Sequence, residues 1–205
     1  MQLYFNYIIM LNLSSVKNFI KKDRKTGDIL YFIAVILITH VLWKLLITGN
    51  EHGHEISIAG KDVTGFFYNI SLFTADISWR TLHYIFGLNF KLNGVEIMMT
   101  EQDSVTIIWA CSAVKQIYMF ICLILFYPNA SWKKKILYAL FGCFILELFN
   151  IIRIDIVAYG SFLNRNYFEF LHKVTQYGFY VVMFLLWVWW IEKIIPAKKV
   201  VSREL

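Results

Sequence analysis

Four long apolar segments, separated by shorter polar or basic stretches, dominate the pattern of the sequence. They cover residues 29–47, 105–127, 136–159 and 167–195. A helix needs about 20 consecutive apolar residues to cross a hydrocarbon core roughly 30 Å thick. The pattern therefore predicts an all-α polytopic membrane protein, a single domain with about four transmembrane helices.

Basic residues are concentrated in three of the polar stretches, within residues 1–28, 131–136 and 196–205. Cytoplasmic loops of membrane proteins are enriched in Lys and Arg. Four spans place all three stretches in the cytoplasm and residues 48–104 and 160–166 outside it. The apolar start of the chain is interpreted as an interfacial segment, because its positive charges follow it, whereas those of a signal peptide precede the apolar part.

The long connection, residues 48–104, contains a further apolar stretch at 66–88. Asp76, Arg80 and His83 share one face of a helix there. A fifth crossing would separate the basic stretches onto two sides of the membrane. We therefore predict an amphipathic helix on the outer leaflet.

A small β-hairpin is predicted between that helix and the second span. Apolar residues alternate with polar ones on both sides of Asn93-Gly94, at Leu88, Phe90 and Leu92 before it and at Val95, Ile97 and Met99 after it. An Asn-Gly pair flanked by alternating apolar residues is typical of a type I′ turn.

Composition supports a membrane protein and argues against other classes. Of 205 residues, 59% are hydrophobic and 18% aromatic, more than soluble domains normally contain. The net charge of +6 lies beside apolar segments instead of in one patch, so no nucleic-acid partner is expected. Cys111, Cys122 and Cys143 are odd in number and predict no disulfide framework. His52 and His54 are too few for a tight metal site, and we interpret them as a solvated loop.

Several ionisable residues lie inside the predicted spans, where they are costly and more often functional than on a soluble surface. Arg153 follows Glu147 and Asn150 and precedes Asp155, so an internal ion pair with either acid is one interpretation. His172 is either an interfacial histidine or a functional group. Cys111, taken alone, is more often a small packing residue.

The predicted depths of three of these residues agree. At about 1.5 Å per residue, Cys111 lies about 9 Å below Val105, Arg153 about 9 Å below Tyr159, and His172 about 7 Å below Tyr167. Three helices would then bring a thiol, a guanidinium and an imidazole to one level. These groups suit acyl transfer at a peptide bond.

The same residues carry a resemblance to a known family. Ala110-Cys111-Ser112-Ala113, Asn150-Ile151-Ile152-Arg153 and His172 resemble the Ala-Cys-Ser-Gly element, the Asn-x-x-Arg element and the histidine of the exosortase/archaeosortase family. These are polytopic membrane cysteine transpeptidases. The departures are Ala113 in place of Gly, Val114-Lys115 in place of Leu-Arg, and Trp109 where an acidic residue is frequent.

The resemblance implies roles for the residues. Cys111 would attack a substrate carbonyl to form a thioester, and His172 would act as general base and acid. Arg153 would hold the thiolate or the oxyanion, and the supporting residues would be Asn150, Lys115 and Ser112. No metal or organic cofactor is expected. The pocket should open between the second and last spans, with the Asn93-Gly94 hairpin above it and the helix of Asp76 and Arg80 beside it.

The resemblance also implies partners and a location. The substrates would be exported proteins with a C-terminal sorting signal, composed of a short motif, a transmembrane helix and a basic tail. The chain would lie in the cell membrane, the inner membrane of a Gram-negative bacterium, with its site facing outward. The alternative is a non-catalytic membrane scaffold of the same fold. Intramembrane serine or metalloproteolysis is disfavoured because the Gly-x-Ser-x-Gly and His-Glu-x-x-His motifs are missing.

Overall fold

The computed structural model describes residues 24–49, 55–128 and 130–195. Helices dominate this part of the chain. The five α-helices are α1 (Arg24–Leu46), α2 (Thr64–Arg80), α3 (Val114–Leu125), α4 (Trp132–Leu163) and α5 (Tyr167–Trp189). Short π-helical segments, Thr81–Ile85 and Trp190–Ile194, continue α2 and α5, and a 3₁₀ turn, Trp109–Cys111, precedes α3.

Two small antiparallel sheets lie in the connection between α1 and α3. The first contains β1 (Ile47–Gly49), β2 (Ile56–Ile58) and β3 (Lys61–Asp62). The second contains β4 (Lys91–Asn93), β5 (Glu96–Met98) and β6 (Ser104–Thr106). Ile97 on its central strand pairs with both Leu92 and Val105, so the predicted hairpin gains a third strand.

Helices α1, α3, α4 and α5 form an antiparallel bundle around an apolar core. Phe120 and Leu123 of α3, Leu146 of α4, and Phe179 and Met183 of α5 are almost completely buried in it. We call the end of the bundle that adjoins the two sheets the sheet end. The opposite end, where the lysines of residues 133–135 lie, is the basic end.

Near the basic end, polar side chains form hydrogen bonds that connect the helices. The Tyr31 hydroxyl donates to the Leu123 carbonyl at 3.0 Å, and the Tyr138 hydroxyl donates to Leu186 at 2.5 Å. Lys135 donates from Nζ to the Leu125 carbonyl at 2.7 Å. These bonds satisfy polar groups that would be costly to leave unpaired in an apolar environment.

The outer surface of the bundle is strongly apolar. Leu45 of α1, Leu137 and Phe144 of α4, and Tyr177 of α5 are each more than half exposed. Such a surface would associate in water but suits contact with lipid. By length and composition, two helices of the described part can cross a membrane, residues 26–46 and 167–194. Together with the apolar surface, this supports a membrane protein that is mostly helical.

Three of the four predicted spans coincide with helices, and the second does not. Residues 29–47 match α1, 136–159 lie within α4, and 167–195 match α5 with its π-helical extension. Within 105–127, only Val114–Leu125 is α-helical. The first part instead forms a strand and a 3₁₀ turn, because β5 supplies backbone partners for β6. A short apolar run fits a strand as well as a helix.

The predicted amphipathic helix of residues 66–88 corresponds to α2 and its π-helical extension. Asp76 and Arg80 form an exposed ion pair at 2.9 Å. His83 does not join them; its ring stacks on Trp79, and its Nδ1 lies 3.1 Å from the Leu88 carbonyl oxygen. The position of this helix relative to the membrane stays a prediction.

The turn of the predicted hairpin differs from the predicted type. Asn93 pairs with Glu96, so the central residues are Gly94 and Val95 instead of Asn93 and Gly94. Only Gly94 has a positive φ, of 61°, whereas a type I′ turn needs positive φ at both central residues. His52 and His54 lie outside the described residues, as do the predicted N-terminal interfacial segment up to residue 23 and the C-terminal tail, 196–205.

Candidate active site

A cavity of about 850 Å³ lies at the sheet end and brings together the main residues predicted from sequence. Cys111, Lys115, Arg153 and His172 all line it. Residues from α1, the segment 104–111, α3, α4 and α5 contribute to its walls. The other polar or aromatic lining residues include Trp43, Lys44, Trp109, Gln116, Gln176 and Tyr180.

The predicted depths assumed that Cys111 lies inside a helical span, but the residue lies outside the α-helices. It ends the 3₁₀ turn Trp109–Cys111, and its N–H donates to the Ile108 carbonyl at 2.8 Å. Helix α3 begins three residues later, at Val114. Cys111 is therefore close along the chain to the N-terminus of α3. Lys115, in the first turn of α3, adds a positive charge.

The backbone conformation of Ala113 creates this arrangement. Its φ of 55° lies in the left-handed region, and the residue is the N-cap of α3. A left-handed residue stops the preceding turn from running directly into the helix. The reversal of chain direction leaves Cys111 on the cavity wall instead of in the helix core.

Ser112 does not line the cavity but contacts residues on the far side of the turn that carries Cys111. Its buried hydroxyl lies 3.4 Å from both the Ile108 carbonyl oxygen and the Ser71 Oγ of α2. The predicted supporting residue therefore positions the cysteine turn on α2. This contact connects the cavity to a helix that does not itself line it.

Arg153 projects from α4 into the cavity and is only 5% exposed. Its Nη1 donates to the Oδ1 of Asn150 at 3.3 Å, and Asn150 is completely buried. The predicted orienting residue thus contacts the guanidinium. The Nε of Arg153 has no hydrogen-bond partner among the described residues. Arg153 interacts electrostatically with Cys111 and with His172.

The alternative interpretation of Arg153 as half of an internal ion pair does not hold. Among the described residues, it forms no ion pair with Glu147 or Asp155. Asp155 is buried on another face of α4 and accepts a hydrogen bond from Ser78 of α2. The guanidinium charge is therefore directed at the cavity.

His172 lies in the second turn of α5 and also faces the cavity. Its ring stacks on Phe168, with centroids 5.7 Å apart and planes at 15°. A smaller cavity next to the first is also lined by Cys111, Arg153 and His172. Both adjoining cavities thus border the same three groups.

Some wall residues were not predicted from the sequence. Phe168, His172, Gln176 and Tyr180 recur every four residues and form one stripe on α5. This spacing was visible in the sequence once His172 had been selected. Lys44 gave no such signal, because a lysine in the last turn of a helix is also explained by the helix dipole.

The predicted surroundings of the pocket were partly wrong. Asn93, Gly94, Asp76 and Arg80 do not line it. Strand β6, Ser104–Thr106, lines it instead. Strand β6 pairs with β5 and leads directly into the segment that carries Cys111, so β6 contributes to the cavity wall and the hairpin turn does not.

The charges of the cavity wall are of one sign. Lys44, Lys115 and Arg153 are cations, and no carboxylate occurs among its described lining residues. In a partly desolvated site, these charges lower the free energy of a thiolate or of an oxyanion relative to the neutral form.

Comparisons with known proteins identify the family of the chain. The family model of the transmembrane exosortase (Exosortase_EpsH) matches residues 62–189, a range that contains Cys111, Asn150, Arg153 and His172. The probable archaeosortase D of Methanocaldococcus jannaschii is 28% identical over 116 residues, which are 56% of this chain and 71% of that protein. No solved structure matches the chain. The chain belongs to the transmembrane exosortase family, whose members are generally proteases or transpeptidases.

Proposed function

We propose that the protein is a membrane cysteine transpeptidase. It cuts the C-terminal sorting signal from an exported protein and transfers the remaining protein to an acceptor. The observation that carries the proposal is the shared cavity of Cys111, Arg153 and His172. These three side chains come from three separate parts of the chain. A nucleophile, a fixed cation and a group that titrates near neutrality are the requirements of thioester chemistry.

In the first step, the Cys111 thiol transfers its proton to His172, and the sulfur attacks the substrate carbonyl carbon. The carbonyl oxygen becomes an oxyanion, which Arg153 stabilises through its free N–H groups. Collapse of this intermediate breaks the C–N bond, and His172 returns the proton to the departing amine. The products are a thioester on Cys111 and the released C-terminal signal.

In the second step, the thioester passes to an acceptor. His172 removes a proton from the acceptor nucleophile, which attacks the thioester carbonyl, and the proton then returns to the Cys111 sulfur as it leaves. Lys115 and the N-terminus of α3 lower the free energy of the thiolate in both steps. Water as the nucleophile would give hydrolysis instead of transfer.

A substrate with a transmembrane helix requires lateral access to the cavity. At the basic end, α1 and α5 are in contact, with ring centroids of Phe32 4.9 Å from Trp187 and 5.3 Å from Phe184. Near the sheet end, Lys44 of α1 and Tyr180 of α5 both line the cavity. We infer that the substrate enters between α1 and α5, instead of between the second and last spans as expected from the sequence, with the sheet end outside the cytoplasm.

The competing function is a scaffold that retains the family fold without catalysis. The contacts of Arg153 argue against it, because a structural arginine at this depth needs a compensating acid. Here the guanidinium instead shares a cavity with a thiol and an imidazole.

A processing assay tests the proposal. The protein would be co-expressed with a tagged exported protein that ends in a short motif, a transmembrane helix and a basic tail. We expect Cys111→Ala and His172→Ala to abolish removal of the tail. Arg153→Lys should slow processing by about 100-fold or more, because the planar fork that serves the oxyanion is lost.

Cys143→Ala provides the matched control, since Cys143 packs against the core of the bundle and does not line the cavity. It should process the tagged protein at the wild-type rate. Removal of the tail at the normal rate by Cys111→Ala would instead favour the scaffold.

A further inference from the structure

Gln116 is a buried polar residue in the cavity wall that the proposed mechanism does not use. It lies in the first turn of α3 and is only 7% exposed. Its Oε1 has no hydrogen-bond partner among the described residues. An unpaired buried polar group is costly, so its presence in a binding cavity suggests a partner supplied by a ligand.

The neighbouring residue Trp109 has a comparable property. Its Nε1 is buried without a hydrogen-bond partner in the described part of the chain, and it lines the same cavity. Two residues of the cavity wall therefore carry buried polar atoms without a partner in the described part of the chain, an acceptor on Gln116 and a donor on Trp109. A turn of either side chain toward the cavity would offer its polar atom to a ligand. A peptide backbone carries both complementary groups, an N–H donor and a C=O acceptor.

The proposed substrate creates a need for such partners. A peptide bond inside a helix has its N–H and C=O groups engaged in the helix, so cleavage next to a transmembrane segment requires local unwinding. At membrane depth, the freed backbone groups have little water to replace the lost bonds. The cavity wall must supply hydrogen bonds if the unwound segment is to remain bound.

We propose that Gln116 is a substrate-positioning residue, whose carboxamide oxygen accepts a hydrogen bond from a substrate backbone N–H next to the scissile carbonyl. The ligand class is an extended, unwound peptide. This inference rests on the proposed function, because it assumes that a peptide enters the cavity. It assigns Gln116 no role in the covalent steps.

The test uses two reagents that alkylate Cys111. One is N-acetyl-alanyl-alanine chloromethyl ketone, and the other is its analogue with a methyl group on the amide nitrogen nearest the warhead. In both, the sulfur forms a bond to the methylene carbon, chloride leaves, and the thiol proton passes to His172. Only the first reagent has the N–H group that would donate a hydrogen bond to the Gln116 oxygen. Mass spectrometry of the full chain in detergent micelles follows the rate of modification.

We expect wild-type protein to react about five to ten times faster with the N–H reagent than with the methylated one, the effect of one net hydrogen bond. Gln116→Met has a similar shape without the amide, and it should lose this preference. Gln116→Glu keeps an acceptor oxygen and should retain it. Gln102→Met, at an exposed position outside the cavity, is the matched control and should behave as wild type.

A small reagent, methyl methanethiosulfonate, separates the possible failures. If Gln116→Met reacts with it at the wild-type rate yet keeps the full preference between the two peptidyl reagents, the positioning role is wrong and the proposed function stands. If Cys111 of the wild-type protein reacts with none of the three reagents, the nucleophile assignment fails, and the role of Gln116 fails with it.

Discussion

At the scale of single residues, the family motif predicted the chemistry but not how the backbone presents it. Cys111, Arg153, His172 and Lys115 line one cavity, although the argument from helical depth that grouped the first three assumed a wrong secondary structure for Cys111. The predicted helix is absent at Cys111, and a 3₁₀ turn followed by the left-handed residue Ala113 takes its place. Residue identity carried the prediction, because charged and nucleophilic groups inside an apolar chain have few structural explanations.

Ala113 supports a prediction at this scale. Its φ of 55° costs about 1–2 kcal/mol for a residue with a Cβ, and a β-branched side chain fits this region far worse. Ala113→Val should therefore lower the free energy of unfolding by about 2 kcal/mol or more and slow processing by displacing Cys111. Ala113→Gly, the residue of the family motif, should still process substrate. Thermal unfolding in detergent and the processing assay measure both effects.

Wild-type stability and processing in Ala113→Val would show that the left-handed turn does not position the nucleophile. The neighbouring Val114 is already β-branched and lies in the helix. Ala113 is also buried in the core of the bundle, so the methyl groups of valine would crowd their neighbours in addition to straining the backbone.

At the scale of elements, the long apolar segments correctly predicted helices. The short apolar run before Cys111 was wrongly predicted to be part of a helix. Residues 29–47, 136–159 and 167–195 are long enough that a strand was excluded by length alone. Residues 104–106 became a strand because β5 was available as a partner, a tertiary contact that a local pattern does not contain. The same limitation left Trp43 and Lys44 of α1 outside the predicted site.

Close packing of α3 against α4 supports a second prediction. A Cβ added to Gly142 would overlap the ring of Phe120, which is completely buried and has little room to move. Gly142→Ala should therefore lower the free energy of unfolding by about 1–3 kcal/mol, the usual cost of overpacking. Gly65→Ala is the matched control, because a Cβ there meets nothing within 4 Å. Unfolding in detergent micelles compares the two, and equal stability would contradict the close approach of α3 and α4.

At the scale of the whole molecule, the site depends on segments that are distant in the sequence. The family match covers residues 62–189, yet Lys44 of α1 lies outside this range and lines the cavity. Helices α1 and α5 are in contact near the basic end, while both sheets adjoin the sheet end, where Cys111 lies. This division agrees with the proposed entry of substrate between α1 and α5 near the sheet end.

The central claim is that Cys111 carries the substrate as a thioester, and direct capture of that intermediate tests it. The protein would be isolated from cells that produce the tagged substrate, denatured rapidly in acid, and analysed by peptide mass spectrometry. The account predicts a substrate fragment attached to the peptide containing Cys111 and released by neutral hydroxylamine, which cleaves thioesters. Tail removal without any hydroxylamine-sensitive adduct on Cys111, together with an adduct on another residue, would contradict it.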